Sequence, residues 1–449
     1  MIEIVETLDA LVVGAGISGL TTAFRLVRGG WRVTVVEASG RVGGAIQTHA
    51  DGPWRFELGP NTVVESHETV GRLIRDARLE GEKIAATPSA KRRYLYKAGR
   101  LVPLPSGPGS FLTTPLFPPG AKLRLLKEPW IGRPPEGTEE SIAAFVRRRL
   151  GQPFLDDAVG PFVSGVYAGD PERLSVRWAV PRIWSLEHDH GSLLRGAFAR
   201  RKGPAPGGTM ISFREGLEAL PRKLAAEIGD VRTGAAVQRI VRVAGGFRAE
   251  TSAGPVEAKR IVLAVPADVT ARLLDEATAG ASQLFAQIPY APVAILALGW
   301  RRADVGHPLA GFGFLVPRKE SLRTLGCLFP SELFPGRAPE GHVALAAFAG
   351  GRTDPEIVGW DEDRIATTLI DELRGPLSLR GGPAFRLVRR WPRAIPQYEI
   401  GHGRFVDRAR EIENALPGLH IGGNFLGGIS VPNCIQNGTE LAERMLRAG

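Results

Sequence analysis

Gly14-Ala15-Gly16-Ile17-Ser18-Gly19 sets three glycines at the spacing G-x-G-x-x-G, and Glu37 follows 18 residues after the last of them. Glycines in this pattern permit a tight turn, let backbone N–H groups approach a pyrophosphate, and let a helix pack closely on its strand. The phosphates sit at the helix N-terminus, where unpaired N–H groups and the helix dipole favour negative charge. A carboxylate at Glu37 suits ribose hydroxyls and disfavours a 2′-phosphate. The chemistry expected is dinucleotide binding, and this motif alone does not separate NAD from FAD. Two further stretches lie nearby: Glu37-Ala38-Ser-Gly-Arg41-Val-Gly43-Gly44-Ala45, and Phe56-Glu57-Leu58-Gly59-Pro60-Asn61-Thr62.

Local structure must position these groups. Ala10-Leu11-Val12-Val13 is a short apolar run suited to a strand buried on both faces. The spacing predicts a helix over Ile17 to Arg28, stopped by Gly29-Gly30, and a second strand over Arg32 to Val36. Residues 231–265 read as antiparallel β: a strand over Ala236 to Val243, a turn at Gly245-Gly246, a strand over Phe247 to Thr251, and a turn at Ser252-Ala253-Gly254. An apolar strand over Arg260 to Val265 follows and ends at Pro266. Helical patterns occupy Ser141 to Leu150, Phe154 to Ser164 and Leu193 to Arg201, after a stretch broken by many prolines. Near the carboxyl end, Leu419-His-Ile-Gly422-Gly423-Asn424 reads as a strand and glycine turn. Gly427-Gly428-Ile429-Ser430-Val431 then leads into a helix from about Pro432 to Arg447.

The combination resembles the GG-doublet flavoproteins, the superfamily that contains amine oxidases, phytoene desaturases and protoporphyrinogen oxidases. That resemblance implies FAD, with Arg41 and the glycine pair near its pyrophosphate and the Gly59–Thr62 loop beside the flavin ring. It implies that Val237 meets the adenine end through its backbone. Trp391 would border the flavin, and the segments Gly423-Asn424 and Gly428–Val431 would run along it under the N-terminus of the last helix. Only one G-x-G-x-x-G is present. A second nucleotide cradle for NAD(P)H is therefore missing, which favours an oxidase whose acceptor is a small molecule such as O₂.

Within the superfamily the chain is most similar to the oxygen-dependent protoporphyrinogen oxidases. The carrying pieces are Arg93-Tyr94-Leu95-Tyr96, Gly165-Val166-Tyr167-Ala168-Gly169-Asp170 with Leu174-Ser175, Gly311-Phe312-Gly313-Phe314-Leu315-Val316-Pro317, Ile395-Pro396-Gln397-Tyr398 with Gly401-His402, and Asn433-Cys434-Ile435-x-x-Gly438. Asn433 stands where that family more often has Asp. The resemblance implies six-electron oxidation of a porphyrinogen in heme synthesis, two electrons per flavin turnover. Arg93 would hold a propionate, Phe312 and Leu315 would wall an apolar slot, Phe329 would stack on a pyrrole ring, and Gly165 would lie near the macrocycle. No catalytic side chain is nominated, because the flavin does the chemistry. Cys434 is expected to be a packed, unmodified thiol. Coproporphyrinogen III is the nearest alternative substrate, followed by an amine or carotenoid substrate. A non-catalytic tetrapyrrole carrier is the alternative from outside enzymes.

The fold class expected is α/β: a Rossmann-like FAD domain (1–88, 206–268 and 412–449), a β-rich substrate domain (89–101 and 269–411) and a helical insertion (102–205), in an amine oxidase-like arrangement. Composition agrees with a large folded enzyme. The chain has 449 residues, 43% hydrophobic and 23% charged, with a net charge of +10. Of its basic residues 48 are Arg and nine are Lys, scattered without a nucleic-acid motif, so nucleic acid is not expected as a partner. Cys327 and Cys434 form no CxxC and no zinc spacing. Glu187-His188-Asp-His190 splays its rings on a helix, and no metal is expected. No cleavable leader pattern precedes the glycine loop, and no apolar run spans a bilayer. The localisation expected is cytoplasmic. Lys122-Leu-Arg124-Leu-Leu-Lys127 interleaves cations with apolar residues, which leaves room for peripheral contact with the inner face of the cytoplasmic membrane. The family also leaves room for a homodimer.

Overall fold

A computed structural model describes residues 8–200 and 208–448. Arg201 and the expected boundary at 205/206 lie outside the described residues, as do the first seven positions.

Leu8–Val13 forms the first strand, with its last four residues buried, and pairs in parallel with Val33–Val36. The helix between them, Ile17–Arg28, turns Leu20, Ala23 and Phe24 into the core. This unit sits in a seven-stranded sheet that also contains Val231–Arg232, the strands of the 237–263 meander and Leu419–Ile421. One strand organises the sheet. The second part of Gly254–Leu263 pairs with the first strand, from Ala258 opposite Leu8 to Leu263 opposite Val13. Its other edge is divided. The first half is antiparallel to Gly246–Thr251, and the second half is parallel to Leu419–Ile421. The strand expected to begin at Arg260 thus begins six residues earlier, because the meander hairpin and the parallel sheet share one continuous strand. It also ends at Leu263, two residues short of the expected Val265.

The sheet is covered on both faces. One face carries the first helix, Ala219–Ile228 and the final helix Val431–Ala448. The final helix packs so tightly on the first that a Cβ at Gly438 would come within 2.7 Å of Ser18 O, and Thr22 Oγ1 donates to Gly438 O. That close approach explains the glycine in the Asn433–Gly438 motif without any ligand.

The second sheet is also seven-stranded. Its strands lie in the order Phe385–Pro396, Tyr290–Arg301, His342–Gly350, Thr324–Leu328, Gly313–Leu315, Tyr94–Lys97 and Arg100–Pro103. The segment that carries Arg93 thus joins the sheet that carries Phe312 and Leu315, with Tyr94 opposite Phe314.

The insertion is helical. The expected helix from Phe154 to Ser164 is instead a short α-turn, a π-turn over Leu155–Val159 and a regular helix Gly160–Tyr167. Pro161 has no N–H to donate, and a widened turn ahead of a proline accommodates the missing bond. The second segment runs past Gly165 and stops at Ala168, whose φ is 47°. Helix Ile142–Arg149 is capped by Ser141, whose side chain accepts from Ala144 N. Its end is pinned by a buried cluster: Arg149 pairs with Glu128 and Glu187, and Arg148 pairs with Glu140 and Glu187. Among the described residues no helix is long and apolar enough to cross a membrane.

Candidate active site

The three glycines of the loop have separate jobs. Gly14 has φ 103°, and a Cβ there would meet Ala264 O at 2.6 Å. At Gly19 a Cβ would collide with the carbonyl oxygen of Gly14, so the helix can approach the turn only without a side chain. Gly16 differs: a Cβ there would meet nothing within 4 Å. Its open side is where a phosphate can come close. The first helix has no side-chain cap and no acidic residue in its first turn, so its leading N–H groups are left for an anion. Gly43 N donates to Ala15 O at 2.8 Å, and a Cβ at Gly44, where φ is 58°, would crowd Gly16 Cα at 3.2 Å. The glycine doublet therefore lies directly on the glycine loop. Arg41 braces it by donating to the carbonyls of Val42, Gly44 and Ile46.

Glu37 is fixed at the end of the second strand. Its carboxylate accepts from Ala15 N at 2.8 Å and from Ser39 N at 2.8 Å. Gly234 N donates to Ser39 O and Ala235 N to Glu37 O, which brings the start of the Val237 strand beside Glu37. Glu37 thus bridges the open-sided glycine loop at Ala15 and the segment that leads into the Val237 strand. These features fit FAD: a cradle that a Cβ would fill, uncapped amides and a ribose carboxylate.

Further along, a Cβ at Gly59 would overlap Ala45 O, so the loop Gly59-Pro60-Asn61-Thr62 passes tight against the doublet segment. Asn61 Nδ2 donates to Gly59 O at 3.0 Å. Trp391 Nε1 donates to Leu58 O at 2.6 Å and stacks under Arg389, whose Cζ lies 4.3 Å from the ring centroid. The second sheet is thereby joined to the loop at which the flavin ring is expected. From the other side come Gly423 and Gly428, both at positive φ (112° and 113°), and then Ser430, whose Oγ accepts from Asn433 N at the head of the final helix. Ile429 packs into the same apolar cluster as Leu315, so the cofactor loop and the slot wall touch one core. Cys434 is buried, and burial pushes its thiol up to about 11, so it stays protonated at neutral pH.

The slot residues fall into two pairs, Arg93 with Phe312 and Gly165 with Leu315, and Phe312 and Leu315 pack in different core clusters. Arg93 is exposed and sits 5.3 Å over the Phe312 ring, and it has no carboxylate partner among the described residues. Gly165 faces the Leu315 side chain. Phe162 and Val166, four residues apart, share a helix face with each other and are 45% and 44% exposed, large values for apolar side chains. Sequence reasoning missed these two, although the i, i+4 spacing of two apolar residues on a helix was the available signal. Phe329 does not join the slot. It is wholly buried between His307 and Phe314, with no face left for a ring to stack on.

A strand, glycine loop, uncapped helix and second strand, with the second sheet bonded to the neighbouring Leu58 segment, form the frame of a flavin-dependent oxidoreductase. The profile of the flavin containing amine oxidoreductases matches residues 17–446. Protoporphyrinogen oxidase 1 of Arabidopsis thaliana chloroplasts is 33% identical over 97% of this chain and 87% of its own length. The coproporphyrinogen III oxidase of Bacillus subtilis is 27% identical over 95% and 96%. A crystal structure from Exiguobacterium sp. 255-15, provisionally assigned as a protoporphyrinogen oxidase, superposes with a TM-score of 0.83 at 23% identity, covering 98% of this chain and 99% of that one. The chain belongs to the flavin-containing amine oxidoreductase family, on its protoporphyrinogen oxidase branch. It is an FAD enzyme with the amine oxidase-like fold.

Proposed function

We propose that this chain oxidises protoporphyrinogen IX to protoporphyrin IX, passing the electrons to O₂ and releasing three molecules of H₂O₂ in heme synthesis. The observation that carries the reading is the Arg93 guanidinium, exposed over the Phe312 ring with no carboxylate partner among the described residues, at the start of the strand that pairs with the Leu315 strand. When bound, FAD supplies a two-electron acceptor for a meso C–H. Arg93 anchors a propionate, Phe312 and Leu315 exclude water and set the plane of the macrocycle, and Gly165 leaves room for it. The Gly423–Val431 segment leads into the final helix, whose N-terminus would offer a positive dipole end to the cofactor.

The test is anaerobic titration of the holoenzyme with protoporphyrinogen IX and coproporphyrinogen III. Bleaching of the flavin by protoporphyrinogen, with the higher kcat/KM, supports the reading. Equal or better turnover of the tetracarboxylate assigns the chain instead to the reaction named for the Bacillus relative. Lys91 and Arg92, exposed beside Arg93, are the cations that would serve its extra carboxylates. Flavin that stays oxidised with both rejects the proposal.

The same reading places the enzyme peripherally on an anionic bilayer. Leu112, Leu123, Leu126 and Trp130 are 64–79% exposed on the insertion, among Lys122, Arg124 and Lys127. Co-sedimentation with phosphatidylglycerol vesicles but not phosphatidylcholine vesicles is expected, and no binding to either rejects it.

A further inference from the structure

The motif Ile395-Pro396-Gln397-Tyr398 with Gly401-His402 takes no direct part in the cradle or the slot. Its place in the fold shows what it does. Tyr398 is 4% exposed. Its hydroxyl accepts a hydrogen bond from Gly428 N at 2.7 Å and donates one to Asn424 O. One phenol therefore closes both ends of the five-residue turn that separates the Leu419–Ile421 strand from the flavin-facing helix. Its backbone reaches a third part of the molecule: Ser175 N donates to Tyr398 O at 2.8 Å. The preceding residue ties in the slot helix, since Gln397 Nε2 donates to Tyr167 O at 2.9 Å. Residues 397–398 are thus the point where the second sheet, the helical insertion and the cofactor loop are bonded to one another.

The ring is held as firmly as the hydroxyl. It stacks on His402 at 4.2 Å between centroids, and His402 packs in turn against Trp178 and Phe405. Neither nitrogen of His402 makes a hydrogen bond of good geometry, and although the Phe425 backbone favours its protonated form, burial prevails and holds the imidazole down to about 4, so it packs as a neutral aromatic platform. Burial pushes the Tyr398 hydroxyl far above the usual phenol range, so it remains a donor at any physiological pH.

We infer that Tyr398 is a positioning residue for the flavin: its hydroxyl fixes the Asn424–Gly428 turn and so sets the distance and direction of the final helix N-terminus from the ring. The physical ground is that a partly buried backbone group deprived of its partner either carries an uncompensated desolvation penalty or moves to find another partner. With the phenol oxygen gone, Gly428 N and Asn424 O both lose their partner, and the turn slackens. A helix end contributes to an anion only within its first turn and with its axis aligned. A slack turn therefore weakens stabilisation of reduced flavin before it touches anything else. The inference needs FAD binding only, not a particular porphyrinogen.

The test compares two variants of the holoenzyme. Tyr398→Phe keeps the ring and its stack and removes only the hydroxyl. His402→Phe keeps an aromatic platform and leaves both hydroxyl bonds in place. For Tyr398→Phe the expected results are a roughly tenfold weaker FAD affinity and a midpoint potential lowered by about 30 mV, a tenfold change for a two-electron couple. The flavin absorption band should lose its vibronic shape. His402→Phe should keep the wild-type potential and band whatever happens to its Tm. A wild-type potential and affinity in Tyr398→Phe overturns the inference. So does an equal potential shift in His402→Phe, because that would trace the effect to core packing.

Discussion

Gly165 and Leu315 face each other so closely that a Cβ on the glycine would press into the leucine Cδ2. The two come from different parts of the chain, a helix of the insertion and a strand of the second sheet, and they meet beside the loop that carries Ile429. Leu315 can yield slightly, since the crowded atom is the end of a flexible side chain. Gly165→Ala should therefore keep kcat/KM within about threefold, whereas Gly165→Leu fills the slot and should raise KM at least tenfold. Steady-state kinetics with FAD content measured in parallel decides it. A Leu variant with unchanged KM would show that the macrocycle lies elsewhere.

Arg93 has no carboxylate partner among the described residues, so its charge is available to a ligand. A charge-assisted hydrogen bond is worth about 1.5–3 kcal/mol, or about 10- to 100-fold in kcat/KM. Arg93→Ala should lose that amount mostly through KM, and Arg93→Lys should recover part of it. A porphyrinogen esterified at its propionates should be handled equally by wild type and Arg93→Ala. An ester that still discriminates between them would remove Arg93 from propionate binding.

How much of this could be seen in the residues alone follows from the range of each interaction. The glycine loop, Glu37 and the doublet were legible because a phosphate cradle is built from one short stretch of chain, and its glycines have no substitutes. The slot was legible only through family resemblance, because Arg93, Gly165 and Leu315 are brought together by long-range pairing, such as Tyr94 opposite Phe314. Phe329 shows the limit. Its sequence surroundings match a slot residue, yet packing against His307 and Phe314 buries the whole ring. Tyr398 shows the same limit in reverse. Nothing local marks its hydroxyl as the bond that closes a turn 26 residues downstream.

Gly16 and Gly19 separate binding from folding within one motif. Gly19→Ala forces a Cβ onto Gly14 O, a backbone atom that cannot yield, so it should lower the Tm of the apoprotein itself. At Gly16 a Cβ has open space around it, so Gly16→Ala should leave apoprotein stability unchanged and weaken FAD by blocking the phosphate. Thermal melts without FAD, set beside FAD titration, distinguish the two. Equal Tm losses would mean that the open side of Gly16 is not the phosphate's approach.

Glu57, one residue before the loop that begins at Leu58, is buried, and desolvation raises its carboxyl to about 7. Hydrogen bonds from Leu217 N and Thr48 Oγ1 and the Arg337 charge at 3.9 Å pull the other way without cancelling the burial. Arg337 is itself held below its ordinary range by burial, so the pair is weakly coupled for its depth. Because the folded-state value lies above that of an unfolded chain, this carboxyl favours the fold fully below about pH 4.5. That contribution disappears as the pH climbs through about 7. Glu57→Gln removes the titration. The stability difference between wild type and variant should therefore shift against wild type between pH 4.5 and 7.5, by on the order of 1–3 kcal/mol. Urea unfolding at intervals across that range measures it. A difference that stays constant with pH would mean that Glu57 remains ionised in the folded enzyme and that its pairing with Arg337 outweighs its burial.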